Sequence, residues 1–461
     1  MKRIIYFFIL FTITTSVSAQ EINTLYFMRS IPQSNALNPA IQRNCRVFIG
    51  LPALSSMYFD FSTGIAYNDF LTKNNVTNKY DYDIDKLITR LDSKNYFSSS
   101  VNINLFSLGL KFKNNLSFTL DVSEKVFARA GIPRDLIKFA WQGNSQFVGK
   151  QANFDNFNVD LDYYHELALG VSKKIGQVTV GAKGKVLLGI GNITSKKTEL
   201  RMTSDPSDFD LTINSDIQIN TSGPFAITQK PDSSLNTPEF DENKSVTDIF
   251  LNRENMGFAL DAGIVYDIND FVSLSASVID LGFINWKSDV NNISQTGSFT
   301  YSGPDANDTT NFFSGIVDSI KNSFKPDPIT HDSYSSSLAS KIYFGGAFNL
   351  NKNISFGVLS RGEIYNKKYS QGFTFSANTH FLKFLSTTVS YTMNDKGYNN
   401  FGLGLGLKGG PLQFYIVSDN IPVKPQELSY VNFRFGFNLL FGCKKKKDDT
   451  DSRSRNSLLW F

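Results

Sequence analysis

The chain has 461 residues, 41% of them hydrophobic and 14% aromatic, with a formal net charge of +4. Charge so close to balance, without a basic stripe, argues against a nucleic-acid binder. Mean hydropathy is slightly negative, which suits a soluble domain but equally a membrane barrel in which only alternate residues meet lipid.

The first residues read as an address. Lys2 and Arg3 precede an apolar stretch over 4–13, followed by Val17-Ser18-Ala19. This pattern predicts a secretory signal, residues 1–19, cut after Ala19. The stretch is too short for a spanning helix, which needs about 20 apolar residues. Gln20, not Cys, follows the cut, which argues against a lipid-anchored start. No later stretch approaches ~18 consecutive apolar residues, so no transmembrane helix is expected. Residues 20–44 come next and contain NALNPAIQ at 35–42. Asn-Pro starts turns and holds the preceding residue extended, so Asn38, Pro39 and Ala40 read as a turn into the first strand.

From residue 45 the apolar residues fall at every second position. CRVFIGLPALSSMYFDFS reads as a first strand, bent or interrupted at Pro52. LSFTLDVS puts Leu116, Phe118, Leu120 and Val122 on one face. MGFALDAGIVYDI does the same with Phe258, Leu260, Ala262, Ile264, Tyr266 and Ile268. FVSLSASV sets Val272, Leu274, Ala276 and Val278 against three serines, and FGLGLGLKG sets apolar residues against Gly402, Gly404 and Gly406. Side chains alternate across a strand, so each segment has one apolar face. The last, VNFRFGFNLLFG at 431–442, is the heaviest.

Tight turns at 113–115, 175–177, 268–270, 351–353, 381–383 and 409–411 join these segments; Asn, Gly and Asp are common in them and tolerate positive φ. They define hairpins at about 101–122, 163–192, 256–282, 341–365, 371–392 and 400–418. With one strand before and one after, the expectation is about 14 strands. Short turns on one side and long connections on the other, over 67–100, 123–162, 193–255 and 283–340, fit an outer-membrane barrel. An even count closes the sheet, which lipid demands of unpaired backbone edges. The expected fold class is therefore all-β, a single transmembrane antiparallel β-barrel over residues 45–442. A secreted sandwich or propeller stays open, because a sandwich also buries alternate faces.

The long connections carry helical spacing. DYDIDKLITRLDS (81–93) reads as a helix, 124–143 as two short helices split by Gly131 and Pro133, and 310–324 as a third. Segment 204–248 reads as a surface loop, with 210–220 a hairpin extension beyond the membrane. Asp280-Leu281-Gly282-Phe283 with Trp286 reads as a strand-end and girdle device at the lipid interface. The glycine face of 402–406 leaves room for an internal segment to approach the wall.

Two cysteines, Cys45 and Cys443, sit before the first strand and after the last. In a closed barrel these strands are neighbours, and an exported compartment permits the bond that would clasp the seam. Residues 443–461 read as a solvated tail, with Leu458, Leu459, Trp460 and Phe461 as a possible docking anchor. Enzyme chemistry is not expected. The three histidines form no zinc-ligand spacing, and no nucleophile elbow or phosphate loop occurs. His165 would matter only if a strand serine lay within reach, as in a barrel lipid hydrolase. No cofactor and no metal are expected.

The Asn-Pro-Ala before the first strand resembles the plug segment of FadL-type transporters of hydrophobic compounds, and that of PorV-like barrels of type IX secretion. The order LNPA, FIGLPALSS, SVIDLGFINW (277–286) and GPLQFYIVSDNI (410–421) resembles an uncharacterised Bacteroidota outer-membrane family. This resemblance implies a 14-strand barrel with residues 20–44 folded into the lumen. It makes passive uptake of small hydrophobic molecules the first expected function. The alternative is a non-transporting partner barrel for secretion or gliding machinery. The partners expected are outer-membrane lipid, the barrel-assembly machinery, a hydrophobic small molecule and secretion-machinery proteins, with no nucleic acid.

Overall fold

The computed structural model describes residues 23–443, except 75, 156, 231–234, 236–238, 241–244, 246–251, 303–324, 366–367, 383, 395–398 and 422–428. Its sheet closes into a barrel of 14 antiparallel strands. We number them along the chain. β1 comes in two pieces, Val47–Gly50 and Met57–Ser62, and β2 is Lys94–Lys111. They are followed by β3 (Leu116–Pro133), β4 (Asn158–Ile175), β5 (Val178–Ser204), β6 (Met256–Asp267) and β7 (Val272–Trp286). β8 also comes in two pieces, Tyr334–Ser337 and Ser340–Asn349. The rest are β9 (Ile354–Tyr365), β10 (Lys368–Leu382), β11 (Leu385–Asn394), β12 (Asn399–Gly409), β13 (Leu412–Ser418) and β14 (Tyr430–Phe441).

Closure is direct. Val47 pairs with Phe441 and Met57 with Phe435, while on its other side β1 pairs Val47 with Leu110. The interruption at Pro52 leaves residues 51–56 out of the ladder and turns Ser55 and Ser56 inward, where both are buried. The tight turns need the residues that form them: Asn115, Gly176 and Gly410 adopt φ of 59°, 60° and 59°. Asn269 and Asn351 instead accept the amides of Val272 (2.8 Å) and Ile354 (3.0 Å), closing their turns through the side chain.

The outward face is the one the alternation marks. Val431 and Phe433 on β14, Leu169 on β4, Phe258 on β6 and Phe344 on β8 stand exposed to 37–61%. An apolar belt around a closed sheet has no protein layer to cover it, and lipid is the medium that does. Among the described residues no helix is long and apolar enough to cross a membrane.

Beyond the belt several strands run on. β5 continues to Ser204, where Leu211–Ser222 pairs with it and Val290–Tyr301 adds a further strand. This ridge has its own core of Phe147, Phe154, Met202, Leu211 and Ile213. The hairpin extension expected at 210–220 is this strand. A helix α1 (Ile84–Arg90) falls within 81–93, its first turn capped by Asp83, which accepts the Lys86 amide at 2.8 Å. The two-helix reading of 124–143 needs correction. Only α2 (Arg134–Gln142) is helical, and 124–133 continues β3, pairing with β2 and β4. Above the lipid belt both faces of a strand meet protein or water, so the period-2 signal fades there. The helix read at 310–324 lies outside the described residues.

Candidate functional site

Residues 23–44 fold into the lumen as two 3₁₀ helices, Asn23–Phe27 and Pro32–Ala36, with a turn after each. The inward faces of the strands explain how they are seated. The three serines of β7 each take one plug group: Ser273 accepts from Arg29 (3.3 Å), Ser275 from the Tyr26 hydroxyl (3.0 Å), and Ser277 donates to the Leu37 carbonyl (2.7 Å). On β12, a side chain at Gly404 would collide with Met28, one at Gly402 with Thr24 and with Ser390 of β11, and one at Gly406 would strike Ser386 of β11 and crowd Ile31. Glycine there is a requirement of close approach. On β14, Asn438 exchanges hydrogen bonds with Gln33 (2.8 and 3.1 Å).

One carboxylate, just past β13, holds the start of the plug. Asp419 accepts from the backbone amides of Asn23 (2.5 Å) and Thr24 (2.9 Å) and from the Thr24 hydroxyl. It is almost wholly buried. Amides at a helix start lack partners within the helix, and a carboxylate satisfies them. Sequence reading missed Asp419; the only signal was an acidic residue directly after an apolar strand.

Asn38, Pro39 and Ala40 form a turn deep in the lumen. The Asn38 side chain accepts the Ala40 amide at 2.9 Å and donates to the Tyr26 hydroxyl at 3.1 Å. A side chain at Gly181 of β5 would strike the Pro39 carbonyl, and one at Gly263 of β6 would strike Asn38. The turn is thus wedged between plug and wall. Apolar side chains of the plug, Leu25 to Met28 with Ile31 and Leu37, make one buried cluster with Tyr343, Leu359, Tyr415 and Val417 of the wall.

The opposite arc of the wall is charged. Lys125, Glu166, Lys185, Asp261, Asp280 and Lys341 stand inward on β3 to β8, one per strand. Lys185 meets Asp280 at 2.5 Å, Asp261 at 2.8 Å and Glu166 at 3.6 Å. Lys125 meets Glu166 at 2.6 Å and Asp280 at 3.7 Å, and Lys341 meets Asp280 at 3.4 Å. Below this belt Lys183 pairs with Asp121 at 3.2 Å. Buried charge is costly unless paired, and three cations here face three anions. The belt depends on a bulge: opposite Asp261 the ladder shifts register between Leu260 and Ala262, and Asp280 takes φ 59°, which swings its carboxylate inward.

The reading of Asp280–Phe283 and Trp286 as one girdle device is therefore corrected. Leu281 and Phe283 do face outward, but Asp280 serves the belt and Trp286 is fully buried. Its ring stacks on Tyr334 and its indole N–H donates to Ser336 at 2.9 Å. Gly189 of β5 gives it room; a buried indole needs a hydrogen-bond partner, which the interface reading did not anticipate.

A model of a family of unknown function, DUF5723, matches residues 39–419. The chain belongs to this family. No curated protein matches the sequence. Among solved structures, the DUF5723 chain is similar to a Pseudomonas aeruginosa FadL homologue, with 10% identity over 93% of this chain and 100% of that one, at a TM-score of 0.44. The Ralstonia pickettii toluene transporter TbuX gives 10% identity, 89% and 94% coverage and a TM-score of 0.41. The Pseudomonas putida toluene transporter TodX gives 8%, 92% and 98%, and 0.39. The barrel itself is established by the strand pairings of this DUF5723 chain.

At the seam, Cys45 and Cys443 are joined by a disulfide across 398 residues of sequence. They lie at the turn end, beside Phe48 and Leu440. His165 faces outward at the upper edge of the belt, its Nδ1 2.5 Å from Glu124 Oε1 on the neighbouring strand. The tail anchor Leu458, Leu459, Trp460 and Phe461 and the signal lie outside the described residues.

Proposed function

We propose that this chain is an outer-membrane transport barrel, closed at rest by residues 23–44, that admits small hydrophobic molecules when this segment moves. In this reading the tight turns face the periplasm and the ridge faces outward. One observation carries it: the plug is held by an apolar contact of the kind an apolar cargo could replace. Leu25, Phe27, Met28 and Ile31 lie against a wall thinned by Gly357, Gly402, Gly404 and Gly406. Displacing the plug leaves a groove of Tyr343, Leu359, Tyr415 and Val417 lined for an apolar guest. In this reading movement follows the gradient, and no residue is given a catalytic part.

A cross-link tests it. Thr24 Oγ1 and Ser390 Oγ lie 2.7 Å apart. With Thr24→Cys and Ser390→Cys oxidised, uptake of a hydrophobic dye into proteoliposomes should stop and return on reduction. The wild-type barrel, treated alike, controls for its own disulfide. Uptake unchanged by the cross-link refutes the reading.

The ridge favours a second reading. A packed sheet of β5, Leu211–Ser222 and Val290–Tyr301 standing clear of the belt offers a protein-binding surface. A partner barrel of type IX secretion or gliding machinery, as in PorV-like Bacteroidota proteins, would use it together with the tail. Co-purification of a specific outer-membrane partner, lost on removing 205–222, would favour that role.

A further inference from the structure

The plug divides the lumen unequally. Its apolar side chains gather mainly against β8 to β13, while Gln33, Asn35 and Arg43 line a space bounded by β1 to β7 and β14. On that second side lie two cavities of about 80 and 70 Å³. The upper one is lined by Tyr58, Asp162, Tyr164 and Glu363, the lower one by Gln33, Asn104, Asp121, Lys183 and Arg434. Asn102, Lys125 and Asp280 line both. The two spaces are thus separated by a few side chains, chief among them the Lys125 ammonium reaching across to Glu166 and Asp280.

The linings are those of wet cavities. The Nε atoms of Arg43 and Arg434, which line the lower cavity, are buried and find no hydrogen-bond partner among the described residues. Buried polar atoms in such a space are satisfied by water, and each cavity has room for about two or three molecules. Apolar cargo would be rejected here, because it would displace the water that solvates these charged side chains. Water and small ions would not.

We propose that the lumen holds a second, polar path for water and small inorganic ions, separate from the plug's apolar seat, and that Lys125 is its gate. At rest the ammonium bridges two carboxylates and blocks the passage between the cavities. The belt around the gate is balanced, with Lys125, Lys185 and Lys341 against Glu166, Asp261 and Asp280. Charged side chains around a constriction set ion selectivity. Removing one member therefore both widens the neck and fixes the sign of the ion preferred.

Planar-bilayer recording of the purified full-length barrel under a KCl gradient tests this. Lys125→Ala should raise conductance severalfold over wild type and shift the reversal potential toward that of K⁺, since a carboxylate excess remains. Asp280→Asn should shift it toward Cl⁻. Lys125→Arg, which keeps the charge and reach, should behave as wild type. Heat-modifiable migration on gels confirms that each variant is folded. Opposite shifts in the two neutralised variants support the gate, because a damaged barrel would leak without reversing sign. Equal selectivity in both, or wild-type conductance in folded Lys125→Ala, overturns it. Hydrophobic-dye uptake unchanged in these variants separates this result from the fate of the plug reading.

Discussion

Replacing Asp419 should release the plug while the strands of the wall stay paired. This carboxylate accepts two amides and a hydroxyl from Asn23 and Thr24. In Asp419→Ala two buried backbone donors lose their partner, and each such loss costs about 1–3 kcal/mol. Allowing for partial rescue by water, the docked plug should lose about 3–4 kcal/mol, a shift of about 150- to 1,000-fold toward the undocked state. Asp419→Asn keeps one acceptor and should lie between. Trypsin reads the change. Arg29 sits within the plug, between its two helices, so cleavage there tracks the undocked population when undocking is fast relative to cutting. Cleavage after Arg134, whose side chain is 45% exposed on the loop end, serves as the internal reference. Cutting at Arg29 should rise by about two orders of magnitude relative to Arg134. An unchanged ratio in a folded Asp419→Ala barrel would show that the carboxylate does not hold the plug, and the proposed resting closure would lose its main anchor.

Three further outcomes follow from the same geometry. Gly404→Leu puts a side chain where Met28 lies, so dye uptake should rise while strand content by circular dichroism stays unchanged. Cys45→Ser should shift migration on non-reducing gels, and should lower stability by as much as about 6 kcal/mol in the chain-entropy limit for so long a loop. Phe344→Arg, on the lipid face, should cost about 2–4 kcal/mol of folding into bilayers if it lies near mid-membrane, read by urea titration in vesicles.

Much of the wall was legible in the residues. The alternation in FVSLSASV named both the lipid face and the serines that hold the plug, and the six turns fixed the strand count, because both signals are local. The glycines at 402, 404 and 406 also read correctly as a place where something comes close. What failed was non-local. Lys125, Glu166, Lys185, Asp261 and Asp280 are each visible as a polar residue on an inner face, but their convergence depends on register across six strands and on one bulge. Asp419 reads as a loop residue until the plug is placed beside it. The strand at 124–133 carries no period-2 signal, because its two faces no longer differ in solvent.

The start of the plug is held by the far end of the chain. Asn23 and Thr24 reach residues 395–396 positions away, and Gln33 reaches one 405 away. Asn23, Thr24 and Gln33 thus lack these partners until the last two strands are laid down. A nascent ring lacking its final strands would be both unsealed at the seam and uncorked in the middle. Completion of the wall and loss of leakiness become a single late event, and a cell that monitors envelope permeability could tell finished copies from stalled ones by that alone.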